Sequence, residues 1–174
     1  MGSFASPSPS PLVLAGLALS VAMVPDTICA QESTAPTQPI AFSHKLHAGT
    51  LQLACSECHK LPEPGDRAGM PAETFCMQCH LSVAADSPAI ARLRQYVATG
   101  EPTPWAQIYT LPDFVYFSHK AHVQSAKLEC SACHGAVEKQ DVLVREQPTS
   151  MQWCMDCHRK MKASVECNLC HSPG

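Results

Sequence analysis

Aromatic side chains are scarce in this sequence: two Trp, three Tyr and five Phe among 174 residues. Large rings supply much of the buried area of ordinary domains, so this chain makes a poor core from its own side chains. Eight Gly and fifteen Pro work further against long regular elements. Basic residues are not in excess, with 12 Lys and Arg against 15 Asp and Glu and a formal charge of −3. That balance argues against a nucleic-acid partner. Residues 1–11 contain no Lys or Arg, although exported chains usually begin with positive charge. The apolar run Leu12–Val24 falls well short of the roughly 20 residues that span a bilayer.

Cysteine and histidine, by contrast, are abundant, at 11 and 9. Ten cysteines fall in five C-x-x-C pairs, and a His follows every pair. The sites, numbered I to V in chain order, are Cys55/Cys58/His59, Cys76/Cys79/His80, Cys130/Cys133/His134, Cys154/Cys157/His158 and Cys167/Cys170/His171. Bare C-x-x-C pairs suit zinc knuckles or redox dithiols. A His after each one is instead the signature of covalent c-type haem attachment. The two cysteines form thioethers with the haem, and the adjacent His becomes the proximal iron ligand. Five covalent c-type haems are therefore expected. They consume ten cysteines and leave Cys29 over, so no disulfide framework is expected. Five porphyrins also supply the apolar bulk that the side chains lack. The expected fold is mainly α with much irregular structure, a multihaem cytochrome c wrapped around five covalent haems. Two propionates per haem add up to about ten negative charges, which tells again against nucleic acid.

The chain repeats itself. Phe42–His59 and Phe117–His134 align without a gap and share ten of eighteen positions. Each copy opens with F-S-H-K-x-H, and a C-x-x-C-H follows shortly after. His44 and His47, like His119 and His122, are spaced i, i+3, which on a helical turn puts them on one face. A duplicated pair ahead of a haem motif points to distal iron ligation. One iron takes one distal ligand, so the two histidines of a pair serve different haems and draw them together. All nine His are then assigned, five proximal and four distal. One haem lacks a His partner, and Met is the usual alternative axial ligand. The candidates are Met70, Met77, Met151, Met155 and Met161.

In chain order, residues 1–30 read as a signal peptide, either cleaved after Ala30 or retained as an anchor. Cys29 is either removed with it or lipidated. Residues 31–40 are a flexible leader. Residues 41–80 form a dihaem repeat, with Leu61–Ala72 as a loop. Residues 81–116 form a connector. Ser87-Pro88 starts a helix, Ile90, Leu93 and Val97 form its apolar stripe, and Gly100 ends it. Trp105, Tyr109, Phe114 and Tyr116 beyond it suit either porphyrin packing or a docking ridge. Residues 117–174 form a trihaem repeat, whose last two motifs, opening at Cys154 and Cys167, follow each other closely.

The unit F-x-H-x-x-H followed by three C-x-x-C-H motifs resembles the trihaem cytochrome c7 module and its class III relative, cytochrome c3. In that family the first His of the pair serves the haem just after it, and the second serves the next. The resemblance therefore implies the pairs His44/His59, His47/His80, His119/His134 and His122/His158. Where the family carries a further His, this sequence has Met151, which becomes the leading distal ligand for site V. The whole arrangement also resembles the pentahaem cytochrome subunit of alternative complex III. That likeness rests on Pro39–Lys45, Cys76–His80, Pro104-Trp105, Leu111–Lys120, His134-Gly135, Met151–Cys154 and His158-Arg159. It implies an electron-transfer subunit rather than an enzyme in its own right. Its expected partners are a membrane quinol-oxidising complex with an iron–sulfur subunit, and a downstream cytochrome c or oxidase. Haem is added after export, so the expected location is the periplasmic face of the cytoplasmic membrane. The alternatives are a free periplasmic c7-like carrier and a multihaem reductase using an open site V.

Overall fold

The computed structural model describes residues 1–3 and 35–171. The chain divides at Gln31, and all the described elements lie in the part from Glu32 onward. The expected signal segment and Cys29 lie outside the described residues. No helix among the described residues is long and apolar enough to cross a membrane.

Three helices exceed two turns: α1 (Glu73–His80), α2 (Pro88–Thr99) and α3 (Met151–Lys160). The rest are short helical turns separated by irregular chain, and the described residues contain one isolated antiparallel bridge, Val115 to His171, and no strand. Helix α2 forms for the expected reasons. The Ser87 hydroxyl accepts a hydrogen bond from the Ala89 N–H, Pro88 occupies the first helical position, and Gly100 ends the helix with φ +71°. Its apolar stripe is narrower than expected: Ile90 and Leu93 are buried, but Val97 is exposed. Helix α3 is capped by Ser150, whose hydroxyl accepts from the Trp153 N–H, and ends on His158, Arg159 and Lys160, which suits the helix dipole.

The buried core is small. It consists of Ile40, Met77, Ile90 and Leu93, with Cys76, Ala89, Tyr96 and Trp105 packed around them. No described side chain is fully buried. Helices α1 and α2 meet there, and the connector is tied to α1 where the Thr103 N–H donates to the Glu73 carboxylate at 2.6 Å. That hydrogen bond holds the Glu73 carboxyl below its usual range.

Each half of the repeat is clamped by the other. The Lys45 N–H donates to the Gln140 carbonyl at 2.9 Å, and the Lys120 N–H donates to the Gly65 carbonyl at 2.9 Å. Lys45 and Lys120 occupy equivalent positions of the two copies, as do Gly65 and Gln140. The same bond is therefore made twice, in opposite senses, as across an internal two-fold. Side chains reinforce it: Lys45 pairs with Asp141 at 3.1 Å and Lys120 with Glu63 at 2.7 Å.

Candidate haem-binding site

The histidine pairs open segments wound as π-helix, Lys45–Thr50 and Lys120–Ser125. The turn that carries each pair is itself closed by an α-type bond, from the His47 N–H to the Ser43 carbonyl at 3.2 Å and from the His122 N–H to the Ser118 carbonyl at 3.3 Å, and the wider bonds follow it. A π-turn is wider and turns successive side chains through a different angle. The two imidazoles of a pair face different partners. His44 lies against His59 at 6.4 Å between ring centroids, and His47 against His80 at 6.1 Å. His119 lies against His134 at 6.4 Å, and His122 against His158 at 6.0 Å. The segments end alike, with Gln52 at φ +56° and Lys127 at φ +57°, again at equivalent positions of the two copies.

The separations can be tested against an iron atom. A metal–imidazole nitrogen bond of about 2.0 Å, plus about 1.1 Å from that nitrogen to the ring centre, puts two axial rings about 6.2 Å apart. All four pairs fall within a few tenths of an ångström of that value.

Hydrogen bonds to the far side of the rings point the same way. The Nδ1 atoms of six histidines lie against backbone carbonyls: His47 on Ser43 (2.9 Å), His59 on Gly69 (3.0 Å), His80 on Val83 (2.9 Å), His119 on Asp66 (2.8 Å), His122 on Ser118 (2.8 Å) and His158 on Ser164 (2.6 Å). A carbonyl only accepts, so Nδ1 carries the proton and Nε2 keeps its lone pair for a metal. Burial, then the neighbouring histidines, lower the pKa of His44 and of His134, so the neutral imidazole that a metal requires is favoured there too. The residues of sites I to IV thus fit haem iron with two imidazole ligands.

Two C-x-x-C pairs lie on α1 and α3 and the other three on single helical turns, with Cys130 as the cap of its own. The Cys76 thiol is pushed up by burial and then by the Cys58 sulfur beside it. Burial and then Cys55 do the same to Cys130. Burial and then Cys157 act on Cys133, and burial and then Cys170 on Cys154. These neighbours order the motifs in space as II, I, III, IV, V, so the first two are reversed relative to the chain.

The two cysteines of a motif are not equivalent, as a matched pair of tethers would lead one to expect. At site II, Cys76 packs against the core and is half-buried, whereas Cys79 is exposed. Helix α1 lays its Cys76-Met77 side on α2 and leaves Cys79, a turn further on, facing outward. At site V, Cys167 is exposed and Cys170 half-buried. Sites I and III share the asymmetry, with Cys55 and Cys130 exposed and Cys58 and Cys133 half-buried, while site IV keeps both of its cysteines half-buried. The motif spacing marks both cysteines of a motif as attachment residues, but it does not carry this asymmetry.

Site V differs in its histidine as well. The His171 ring has Phe114 as its aromatic neighbour, at 5.9 Å. No imidazole stands opposite it among the described residues. Met151 begins α3 and is exposed, three residues before Cys154, the residue that neighbours Cys170. Met77 is buried in the α1/α2 core and is thereby removed from the candidate ligands. Met70 lines a cavity of about 280 Å³ with Cys58 and Gly69, so it belongs beside site I. Of the connector aromatics, Trp105 packs on the core. Tyr109 meets His134 edge-on at 4.6 Å, and its hydroxyl accepts from the Glu146 N–H. Tyr116 is exposed.

Sequence reasoning missed the carbonyl acceptors. Those of Ser43 and Ser118 were within reach, because the serine recurs at the same place in both copies. Those of Gly69, Asp66, Val83 and Ser164 carry no sequence signal, since any residue has a carbonyl.

The chain also resembles known proteins. Residues 115–172 match the family described as cytochrome c7 and related cytochrome c. The chain is also 33% identical over 135 residues to the multihaem cytochrome c subunit of menaquinone reductase from Nitratidesulfovibrio vulgaris. That alignment takes in 77% of this chain and 51% of the relative, so the chain spans about half the length of the curated relative it matches. The chain is thus similar to a multihaem cytochrome c subunit over most of its length, and its second repeat matches the cytochrome c7 family.

Proposed function

We propose that this chain carries five covalent c-type haems and serves as the electron-transfer subunit of a membrane quinone oxidoreductase on the periplasmic side of the cytoplasmic membrane. The observation that carries the reading is the set of four imidazole pairs at 6.0–6.4 Å. Haem bound there would supply one-electron chemistry, and two imidazoles on each iron would leave no coordination position for a substrate. The chain's own residues do the rest. The cysteines tether, the carbonyl-bound histidines hold fixed ring positions, and the reciprocal Lys45 and Lys120 clamps bring site I beside site III. Haems held at these sites would follow one another in the order II, I, III, IV, V and would give electrons a path.

The connector's likeness to alternative complex III favours quinol oxidation, with an iron–sulfur subunit as donor and a cytochrome c or oxidase as acceptor. In this reading Met151 completes site V. A second direction of flow is favoured by the relative's name, which makes menaquinone the species reduced. Purifying the protein from membranes with whatever binds it, then mixing it with menaquinol or menaquinone, tests both. Haem reduction by menaquinol supports the first direction, and haem oxidation by menaquinone the second. Recovery of the protein alone in a dilute-buffer wash would overturn the complex and leave a free carrier.

A further inference from the structure

The two histidines of each pair differ in how their rings are turned. The first makes a nearly parallel pair with its proximal partner, at 13° for His44/His59 and 0° for His119/His134. The second makes an inclined pair, at 58° for His47/His80 and 37° for His122/His158. The pattern follows position in F-S-H-x-x-H and recurs in both repeats.

The phenylalanine that opens the motif supplies the cause. Phe42 stacks on His47 at 4.4 Å and 19°, and Phe117 on His122 at 4.6 Å and 21°. The same rings meet the first histidine edge-on, at 4.9 Å and 81° for His44 and at 4.9 Å and 90° for His119. One phenyl ring thus holds the two distal rings at a large angle to each other. The second ring is fixed again by its Nδ1–H bond to the serine carbonyl four residues back. On the proximal side, the carbonyls of Val83 and Ser164 hold the rings of His80 and His158.

We propose that Phe42 and Phe117 are positioning residues that impose inclined axial-ligand planes at sites II and IV, while sites I and III keep parallel ones. This rests on the bis-imidazole reading of sites I to IV. The electronic consequence follows from symmetry. Two parallel rings donate into the same iron d orbital and separate it from its partner. Inclined rings raise both orbitals and leave them nearly equal, which enlarges the g anisotropy of ferric low-spin iron. In the spatial order II, I, III, IV, the inclined sites flank the parallel ones. The surroundings of the ligands tune the sites apart, although all four have the same ligands.

The test is paramagnetic resonance of the oxidised full-length protein, with full haem loading verified by intact mass. The expected result for sites I to IV, apart from the signal of site V, is two low-spin classes in equal number, one rhombic and one of large anisotropy. Phe117→Leu removes the flat face against His122. It should shift one signal of the large-anisotropy class and spare site III, where the Asp66 carbonyl still holds His119. Phe117→Tyr keeps the stack and should restore the wild-type spectrum. Phe42→Leu repeats the test at site II if the first variant fails to load haem. Four signals of one class, or a Phe117→Leu spectrum identical to wild type, would overturn the proposal. Near-infrared magnetic circular dichroism reports two imidazole ligands whatever their angle. Its failure to find them would remove the bis-imidazole reading itself, and the proposal with it.

Discussion

The first and second repeats share a motif, a fold and a set of hydrogen bonds, yet they differ where each is held by the other. In the first, Ser43 and Lys45 both bind the Asp141 carboxylate, and Lys45 bonds the Gln140 carbonyl. In the second, Lys120 binds Glu63 and the Gly65 carbonyl, and His119 binds the Asp66 carbonyl through Nδ1. Asp66 and Asp141 are equivalent positions, but one contributes its backbone and the other its side chain. Closeness of approach is handled just as unevenly. Gly65 has φ +91° and admits the Lys120 side chain against its backbone, whereas its counterpart is Gln140. Gly49 admits the Glu138 carbonyl, and its counterpart is Gln124. What the two copies keep in common is what the iron ligands require. What they vary is how each docks on its neighbour.

The largest expected effect separates the repeats by haem number. Intact mass of the mature chain should rise by about 3 kDa over the polypeptide. Peptide mapping should place two haems in residues 41–80 and three in 117–174. Four or fewer in total would break the comparison at its base. Next come the second histidines. His47→Ala and His122→Ala should each turn one low-spin haem high-spin, at sites II and IV respectively, as read by paramagnetic resonance. A spectrum unchanged by either would reject that pairing.

Site V has no counterpart in the first repeat and sharpens the contrast. If Met151 ligates His171's iron, the ferric protein should show the far-red charge-transfer band of His/Met haem, and Met151→Ala should abolish it. Absence of the band in the unaltered protein would leave site V open or completed by a partner, and would favour the reductase alternative.

Substitutions at the docking surfaces should act unequally. Gly65→Ala forces a side chain into a positive-φ position facing Lys120 and should cost about 1–2 kcal/mol. Gln140→Ala, at the equivalent position, should cost much less, so thermal midpoints of the two variants compare them directly. The smallest effect is at Asp141, whose pKa is lowered by the Ser43 hydroxyl and then by Lys45. A carboxyl lowered on folding stabilises above its unfolded pKa, and that contribution is lost as pH falls through the folded value. Asp141→Asn should therefore be less stable than wild type near neutrality, with the difference closing at acid pH. A constant difference across the titration would show that the carboxylate's charge plays no part.

Several things were legible in the chain alone because they are local. The five C-x-x-C-H motifs, the duplicated F-S-H-K-x-H, the caps of α2 and the scarcity of core aromatics all follow from residue type and spacing. So did the expectation of mainly helical and irregular structure, since few residues favour anything longer. The turn geometry did not follow. A spacing of i, i+3 reads the same in an α-turn and a π-turn. What separates them is where the Leu51 and Ala126 N–H groups bond, on the carbonyls of Leu46 and Ala121, one residue further back than an α-turn would reach. The carbonyl partners of the imidazoles, the reversal of sites I and II in space, the outward-facing Cys79, the reciprocal clamp of Lys45 and Lys120, and the ring angles were likewise decided by the tertiary structure. Most of these are relations between separate segments of the chain, made largely by backbone atoms that every residue carries, and residue identity does not encode them.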